Sequence, residues 1–259
     1  MAELVVASAP SQAFLMGEHA VLYKQPALAA AVDVRSRATA RPADRGVTVR
    51  SPMFGTFSLS ESGGSGPPQL RPLAEEAAEI ASTFGLPGVV VDIESDVPVN
   101  SGMASSASVA ASVGQAVYTL AAGSPPSLDS LLEIVYSVER QIHGRASKTG
   151  PACAVFGGLI LVEWEGDSMS ASRLDLELEV DLVLACTGEP SRTKEMIGRV
   201  SRLMEAEPDL CSAIIETIGR LVKRGLEALT SGDVESLGRL MNVNHGLLYS
   251  LGVSSPSLE

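Results

Sequence analysis

The chain has 259 residues, 45% of them hydrophobic and 4% aromatic, with a formal charge of −12. That length suits one large domain or two intimate ones with ample core, and the acidic balance argues against a nucleic-acid surface. Three isolated cysteines (Cys153, Cys186, Cys211) with no CxxC pair indicate neither a zinc site nor a disulfide framework, MAELVVASAP is no secretory leader, and no apolar run nears the roughly 20 residues that span a bilayer, so a cytoplasmic α/β or α+β enzyme without a membrane partner is expected.

Leu4–Ala9 reads as a short apolar strand closed by Pro10. Phe14–Met16 is apolar, and Gly17 breaks it. Glu18 and His19 follow as adjacent polar residues between apolar flanks. They form either a solvated turn or a bend that aims a carboxylate and an imidazole into a pocket, and the flanks favour the pocket. Pro26–Pro42 is strand material. Val47–Arg50 and Phe54–Ser58 are further β segments. Glu61–Pro68 (ESGGSGPP) is a polar surface loop. Leu70–Phe84 has helical spacing, with Leu70, Leu73, Ala77, Ile80, Ala81 and Phe84 on one face.

Val89–Glu94 is a strand that feeds Asp96–Ala107 (DVPVNSGMASSA). The small-residue run Ser105–Ala122 that follows is helix-compatible. A strand, a tight loop and a helix N-terminus present unpaired N–H groups and the positive end of a helix dipole. Two occupants suit that junction: a serine N-cap, or a polyphosphate approached closely by Gly102, Ala104, Ser105 and Ser106. The Walker Gly-Lys-Ser/Thr and the GxGxxG fingerprint are both absent.

Ser127 caps the next helix, which places Leu128, Leu131, Leu132, Val135 and Val138 on one face. Glu139 and His143 lie one turn apart on it. From the residues alone, Glu139 is either a magnesium ligand facing the serine loop or a surface partner of Arg140 or Arg145. His143 is a helix-end cation on the same reading. After Gly144 the segment RASKTGPACAVFGG is small and irregular. Leu159–Trp164 is a strand, Gly166–Arg173 a loop and Val180–Cys186 a strand. From Ser191 to Leu251 the chain is helical in three blocks: Ser191–Glu205, Pro208–Thr230 and Asp233–Leu251. A domain boundary is expected near residue 175.

Six segments in this order resemble the GHMP kinases, most closely mevalonate kinases of archaeal type. They are Gly17–Tyr23 (GEHAVLY), Asp96–Val109 (DVPVNSGMASSASV), Glu139–Ser147 (ERQIHGRAS), Phe156–Gly158 (FGG), Gly188–Ile197 (GEPSRTKEMI) and Gly238–Val253 (GRLMNVNHGLLYSLGV). The resemblance implies an α+β fold. Its N-terminal domain (residues 1–175) would be like ribosomal protein S5, and its C-terminal domain (176–259) ferredoxin-like and incomplete. It implies ATP and Mg²⁺ as cofactors, mevalonate as the small-molecule substrate, and a possible homodimer. Asn100, Ser101, Gly102, Met103, Ala104, Ser105 and Ser106 would cradle the phosphates. Ser106 and Glu139 would hold Mg²⁺, and Glu18, His19 and Thr193 would line the mevalonate pocket. His143 is read as structural and His245 as packing between helices.

Two catalytic positions depart from the family pattern. Gln12 stands where the family has a lysine that polarises the accepting hydroxyl, and a neutral amide donates hydrogen bonds but supplies no cation. Gly150 stands where the family has the aspartate base, and no Asp occurs between Asp129 and Asp167. Lys148 is a candidate replacement cation or a solvated loop lysine. The family's glycine-rich third motif is expected beyond Glu259. Three readings follow: an impaired mevalonate kinase, a nucleotide- or metabolite-binding protein without efficient catalysis, or a GHMP kinase for another small alcohol.

Overall fold

The computed structural model describes residues 4–98, 100–176, 178, 180–189 and 193–259. Eight strands form one mixed sheet: β1 (Val5–Met16), β2 (Ala27–Pro42), β3 (Gly46–Ser51), β4 (Gly55–Ser60), β5 (Gly63–Ser65), β6 (Gly88–Ser95), β7 (Leu159–Glu165) and β8 (Ser168–Leu174). Their order is β5-β4-β3-β6-β2-β7-β8, with β1 paired to β2. The second half of β2 pairs with β6 and its first half with β7, while β1 runs antiparallel along its other side.

Pro10 does not close β1. The strand continues to Met16, with a register shift between Pro10 and Ser11. A proline donates nothing to a ladder, and edge strands and bulges are where sheets accept it. The buried Ser108 hydroxyl serves the shifted register. It donates to Ala9 O at 2.8 Å and accepts from Ser36 N–H at 3.2 Å.

Four helices cover one sheet face: α1 (Arg71–Thr83), α2 (Ser105–Ala122), α3 (Leu128–His143) and α4 (Thr149–Phe156). The central one is α2, which packs on β1 and β2 below and on α1, α3 and α4 around it. Ala107, Ala110, Ala111, Gly114 and Ala116 make that closeness possible, and they explain a core poor in aromatics. Ser127 caps α3 through Ser130 N–H, as the spacing predicts.

Several expectations need correction. The segment after Gly144 is not wholly irregular, because Thr149–Phe156 forms α4. Gly166–Arg173 is not a loop: Gly166-Asp167 is a two-residue hairpin turn into β8, a Gly-Asp signal the sequence carries. Part of the polar loop after Glu61 pairs as β5. Val180–Cys186 is not a strand. Leu182, Val183 and Leu184 are exposed, and a strand without a pairing partner has no ladder.

Beyond Leu174, the described residues carry three helices and no strand: α5 (Thr193–Ala206), α6 (Pro208–Ser231) and α7 (Val234–Ser250). The predicted first residues of α5, Ser191 and Arg192, lie outside the described residues, as does Val99 of the serine loop. Pro208 sits in the first turn of α6, and Asp233 caps α7 through Ser236 N–H. Leu221, Val222, Ala228, Leu229 and Leu237 bury Leu15, Met16 and Leu28 at the end of β1 and start of β2. A second cluster closes over Ala20 with Val200, Cys211, Ile215, Ile218 and Leu251. The three helices are thereby tied to the sheet end that carries Gly17–His19.

Candidate active site

One cavity of about 1080 Å³ opens where the serine loop, α3, the end of β1 and α5 meet. Asn100, Gly102 and Ala104 take left-handed backbone angles, with φ of 60°, 79° and 51°. Alternate left-handed residues turn successive N–H groups inward and make an anion-binding concavity. Ser101 Oγ donates to Pro98 O at 2.7 Å, and Gln12 N–H fixes the loop by donating to Met103 O at 3.1 Å. The capping position of α2 is Ala104, which has no side chain able to cap. The serine N-cap alternative is therefore excluded. The first-turn N–H groups of an 18-residue helix are left for a ligand.

Beside this mouth stands Glu139, buried on α3. Ser106 hydrogen-bonds its carboxylate. Its Oε2 lies 3.7 Å from His143 Nε2, which is 3.5 Å from Ser106 Oγ. Its Oε1 is buried with no hydrogen-bond partner among the described residues. Burial pushes the Glu139 carboxyl up to about 7, against the pull of the Ser106 hydrogen bond. Burial first, and Lys194 second, hold His143 below its usual value. An orphaned carboxylate oxygen beside a hydroxyl fits Mg²⁺, which takes one or two carboxylates and completes its shell with water and phosphate oxygens. No cluster of three or more His, Cys, Asp or Glu suited to an all-protein metal cage occurs among the described residues. Glu139 is not a surface partner of Arg140 or Arg145. Arg145 instead donates to Leu22 O at 2.8 Å and lies over the Tyr23 ring.

The wall opposite carries Glu18 and His19. Gly17, with φ of 99°, makes the bend, and a Cβ there would fall 2.6 Å from Ala27 Cα. Glu18 Oε2 accepts from Asn244 Nδ2 at 3.0 Å, while Asn244 Oδ1 accepts from Gly17 N–H at 3.5 Å. Burial raises Glu18, opposed by hydrogen bonds from its own backbone and from Asn244. Burial drives His19 down to about 4, so its imidazole is neutral at physiological pH. Thr193, at the first turn of α5, borders the same cavity.

Gln12 and Gly150 meet at the floor. A Cβ on Gly150 would lie 3.8 Å from Gln12 Oε1, so the two departures from the family pattern face each other. Lys148 supplies no replacement cation there. Its ammonium pairs with Glu133 at 2.6 Å and lies over the Tyr136 ring.

The chain's residues 72–158 match the family model described as GHMP kinases N terminal domain. Over 274 residues it is 33% identical to a mevalonate kinase of Thermococcus sibiricus, covering 98% of this chain and 80% of that protein. The chain belongs to the GHMP kinases. Membership makes it an ATP-dependent small-molecule kinase of the mevalonate kinase type. The backbone of this GHMP kinase overlays that of L. major mevalonate kinase in complex with R-mevalonate with a TM-score of 0.73 at 20% identity, covering 97% of this chain and 77% of that one. It overlays Streptococcus pneumoniae phosphomevalonate kinase in complex with phosphomevalonate and AMPPNP with a TM-score of 0.75 at 17% identity, covering 95% and 80%. Both likenesses support the two-domain α+β fold, and neither separates one alcohol from another.

Sequence reasoning missed Asn244, although it lies within the last matching segment, because a helical Asn carries no local signal of a partner 226 positions away. It also missed that the apolar side chains of Met53, Phe54, Pro68 and Leu73 border the cavity. Two exposed apolar side chains inside the turn Ser51–Gly55 were the available signal. His245 does not pack between helices: its Nε2 lies 3.1 Å from Glu259 Oε1 at the surface.

Proposed function

We propose that this kinase phosphorylates the primary hydroxyl of mevalonate to give 5-phosphomevalonate, slowly compared with relatives that have the usual lysine and aspartate. The observation that carries the reading is the orphaned Glu139 carboxylate beside Ser106, at an uncapped helix mouth in one cavity with Glu18 and His19. Kinship with mevalonate kinases supports mevalonate as the alcohol. Residues 100–106 receive the triphosphate, and the apolar lining residues Met53, Phe54, Pro68 and Leu73 receive the base. Ser106 and Glu139 hold Mg²⁺, which neutralises charge on the transferring phosphoryl group. Glu18, His19 and Thr193 hold the substrate. Residues 1–175 act as the nucleotide-binding domain and 176–259 as the part that closes the substrate pocket. A cytoplasmic location and a homodimer rest on the family resemblance.

A positioned base contributes roughly 10²–10⁴-fold, and a single preorganised charge-stabilising donor roughly 10²–10³-fold. Phosphoryl transfer through a loose transition state depends chiefly on positioning and charge, so Gly150 and Gln12 slow the reaction without removing its framework. ADP release under saturating Mg·ATP, with and without mevalonate, tests the reading. Mevalonate-dependent release supports it, and release at background contradicts it. The Gln12–Gly150 pair favours a second reading, a nucleotide- and metabolite-binding protein without efficient catalysis. It predicts binding by calorimetry with no product. A panel of other alcohols, phosphomevalonate among them, tests for a different substrate.

A further inference from the structure

Gln12 is 6% exposed and borders the cavity, yet its Oε1 is buried without a hydrogen-bond partner among the described residues. Its backbone is anchored on both sides. The backbone N–H is bonded to Met103 O, and the residue is paired with Ala31 in the sheet. Opposite it, Gly150 offers no side chain, and a Cβ there would touch Ala104 Cβ at 3.1 Å and Ala107 Cβ at 3.3 Å before reaching Oε1. The oxygen thus faces the bare Gly150 position, which has no side chain to donate. Buried amide oxygens are almost always satisfied, so an unsatisfied one at a pocket wall awaits a donor from a ligand. Ionised phosphate oxygens are acceptors only. The nucleotide's phosphate oxygens do not satisfy Gln12 Oε1, whereas an alcohol O–H does.

We propose that Gln12 is a specificity-determining residue for the phosphoryl acceptor, its Oε1 accepting the hydrogen of the substrate's primary hydroxyl. This inference rests on the mevalonate reading above. The hydrogen bond orients the hydroxyl so that an oxygen lone pair faces the γ-phosphorus. The new bond forms from that oxygen to phosphorus, and the bond from phosphorus to the ADP oxygen breaks, its electron pair leaving with ADP. A neutral amide does not take the proton. It passes to an oxygen of the transferred phosphoryl group and from there to water, a sequence suited to a loose transition state in which the hydroxyl loses its proton late. Gln12 and Gly150 therefore act together: the glycine sets no side chain against the amide oxygen, and the amide replaces proton removal by orientation.

The test is calorimetric binding, in saturating Mg·ADP, of mevalonate and of its analogue with a terminal methyl group in place of the primary alcohol. The wild type is expected to prefer the alcohol by about tenfold, the worth of one hydrogen bond made at a buried acceptor. In Gln12→Met, which keeps the shape and loses the acceptor, the preference should fall to about one. In Gln12→Glu, which keeps acceptor oxygens, it should persist. An unchanged preference in Gln12→Met, or no preference in the wild type, overturns the role of Gln12. A wild type that binds neither compound overturns the mevalonate reading and this inference with it. Thermal melts of both variants check folding. Should the Met variant not fold, loss of the preference in Gln12→Ala supports the inference and its retention overturns it.

Discussion

The carboxamide of Asn244 grips Glu18 from across the molecule, donating to its Oε2 at 3.0 Å while accepting from the neighbouring Gly17 N–H. Asn244 is 2% exposed, so its side of the bond is shielded from water where α7 meets the bend after β1. Asn244→Ala leaves a buried N–H and a part-buried carboxylate oxygen without their partner. The expected loss is about 1–3 kcal/mol of stability. Because Glu18 borders the substrate end of the cavity, KM for the alcohol should rise while KM for ATP stays near its wild-type value. Urea unfolding and steady-state kinetics check the two halves.

Glu139 gives a pH prediction. Burial holds its carboxyl near 7, so at pH 6 it is largely protonated, and Mg²⁺ needs the ionised form. Mg·ADP affinity should therefore rise between pH 6 and 8, with proton release on binding. Calorimetry in two buffers of different ionisation enthalpy measures that release. In Glu139→Gln the affinity should be weaker and this pH dependence lost.

Glu76 supplies a second titration, in the fold and away from the site. It is 5% exposed under α2, both carboxylate oxygens lack partners, and a Cβ on Gly114 would fall 2.5 Å from its Oε1. Burial, and then the charge of Glu79, raise its pKa well above 4.5. The folded state therefore keeps a proton that the unfolded chain releases near pH 4.5. Stability falls as pH rises above that point, by up to about 1.4 kcal/mol per unit, until the folded carboxyl also ionises. Glu76→Gln should remove this slope and be the more stable protein at pH 8. Urea midpoints at pH 5, 6.5 and 8 check it.

Ser108 explains how an edge strand containing proline stays in register. Ser108→Ala takes the hydroxyl from Ser36 N–H and Ala9 O in a fully buried position. A loss of about 1–3 kcal/mol is expected, measurable by thermal or urea unfolding.

These residues also show what the chain discloses in one dimension. The limits of α2, Ser105–Ala122, and the Ser127 and Asp233 caps are local and were legible, because small-residue runs, cap residues and glycine stops act within a turn. The Gly166-Asp167 turn is equally local, but the polar residues of β8 give its sequence the look of a loop. Val180–Cys186 has strand composition, but pairing is set by neighbours in space. In the site, Glu139 was an ambiguous helix residue until burial and Ser106 gave it a setting. Gln12 and Gly150 were separate departures from a family pattern, and only the packing of α4 on β1 brings them face to face.

The most direct measurement is a crystal structure of this chain with ADP and Mg²⁺. The account predicts the diphosphate on the N–H groups of residues 102–106, with the ion between Ser106 Oγ and Glu139. A nucleotide bound elsewhere, or that helix mouth left without phosphate at saturating Mg·ADP, would contradict it.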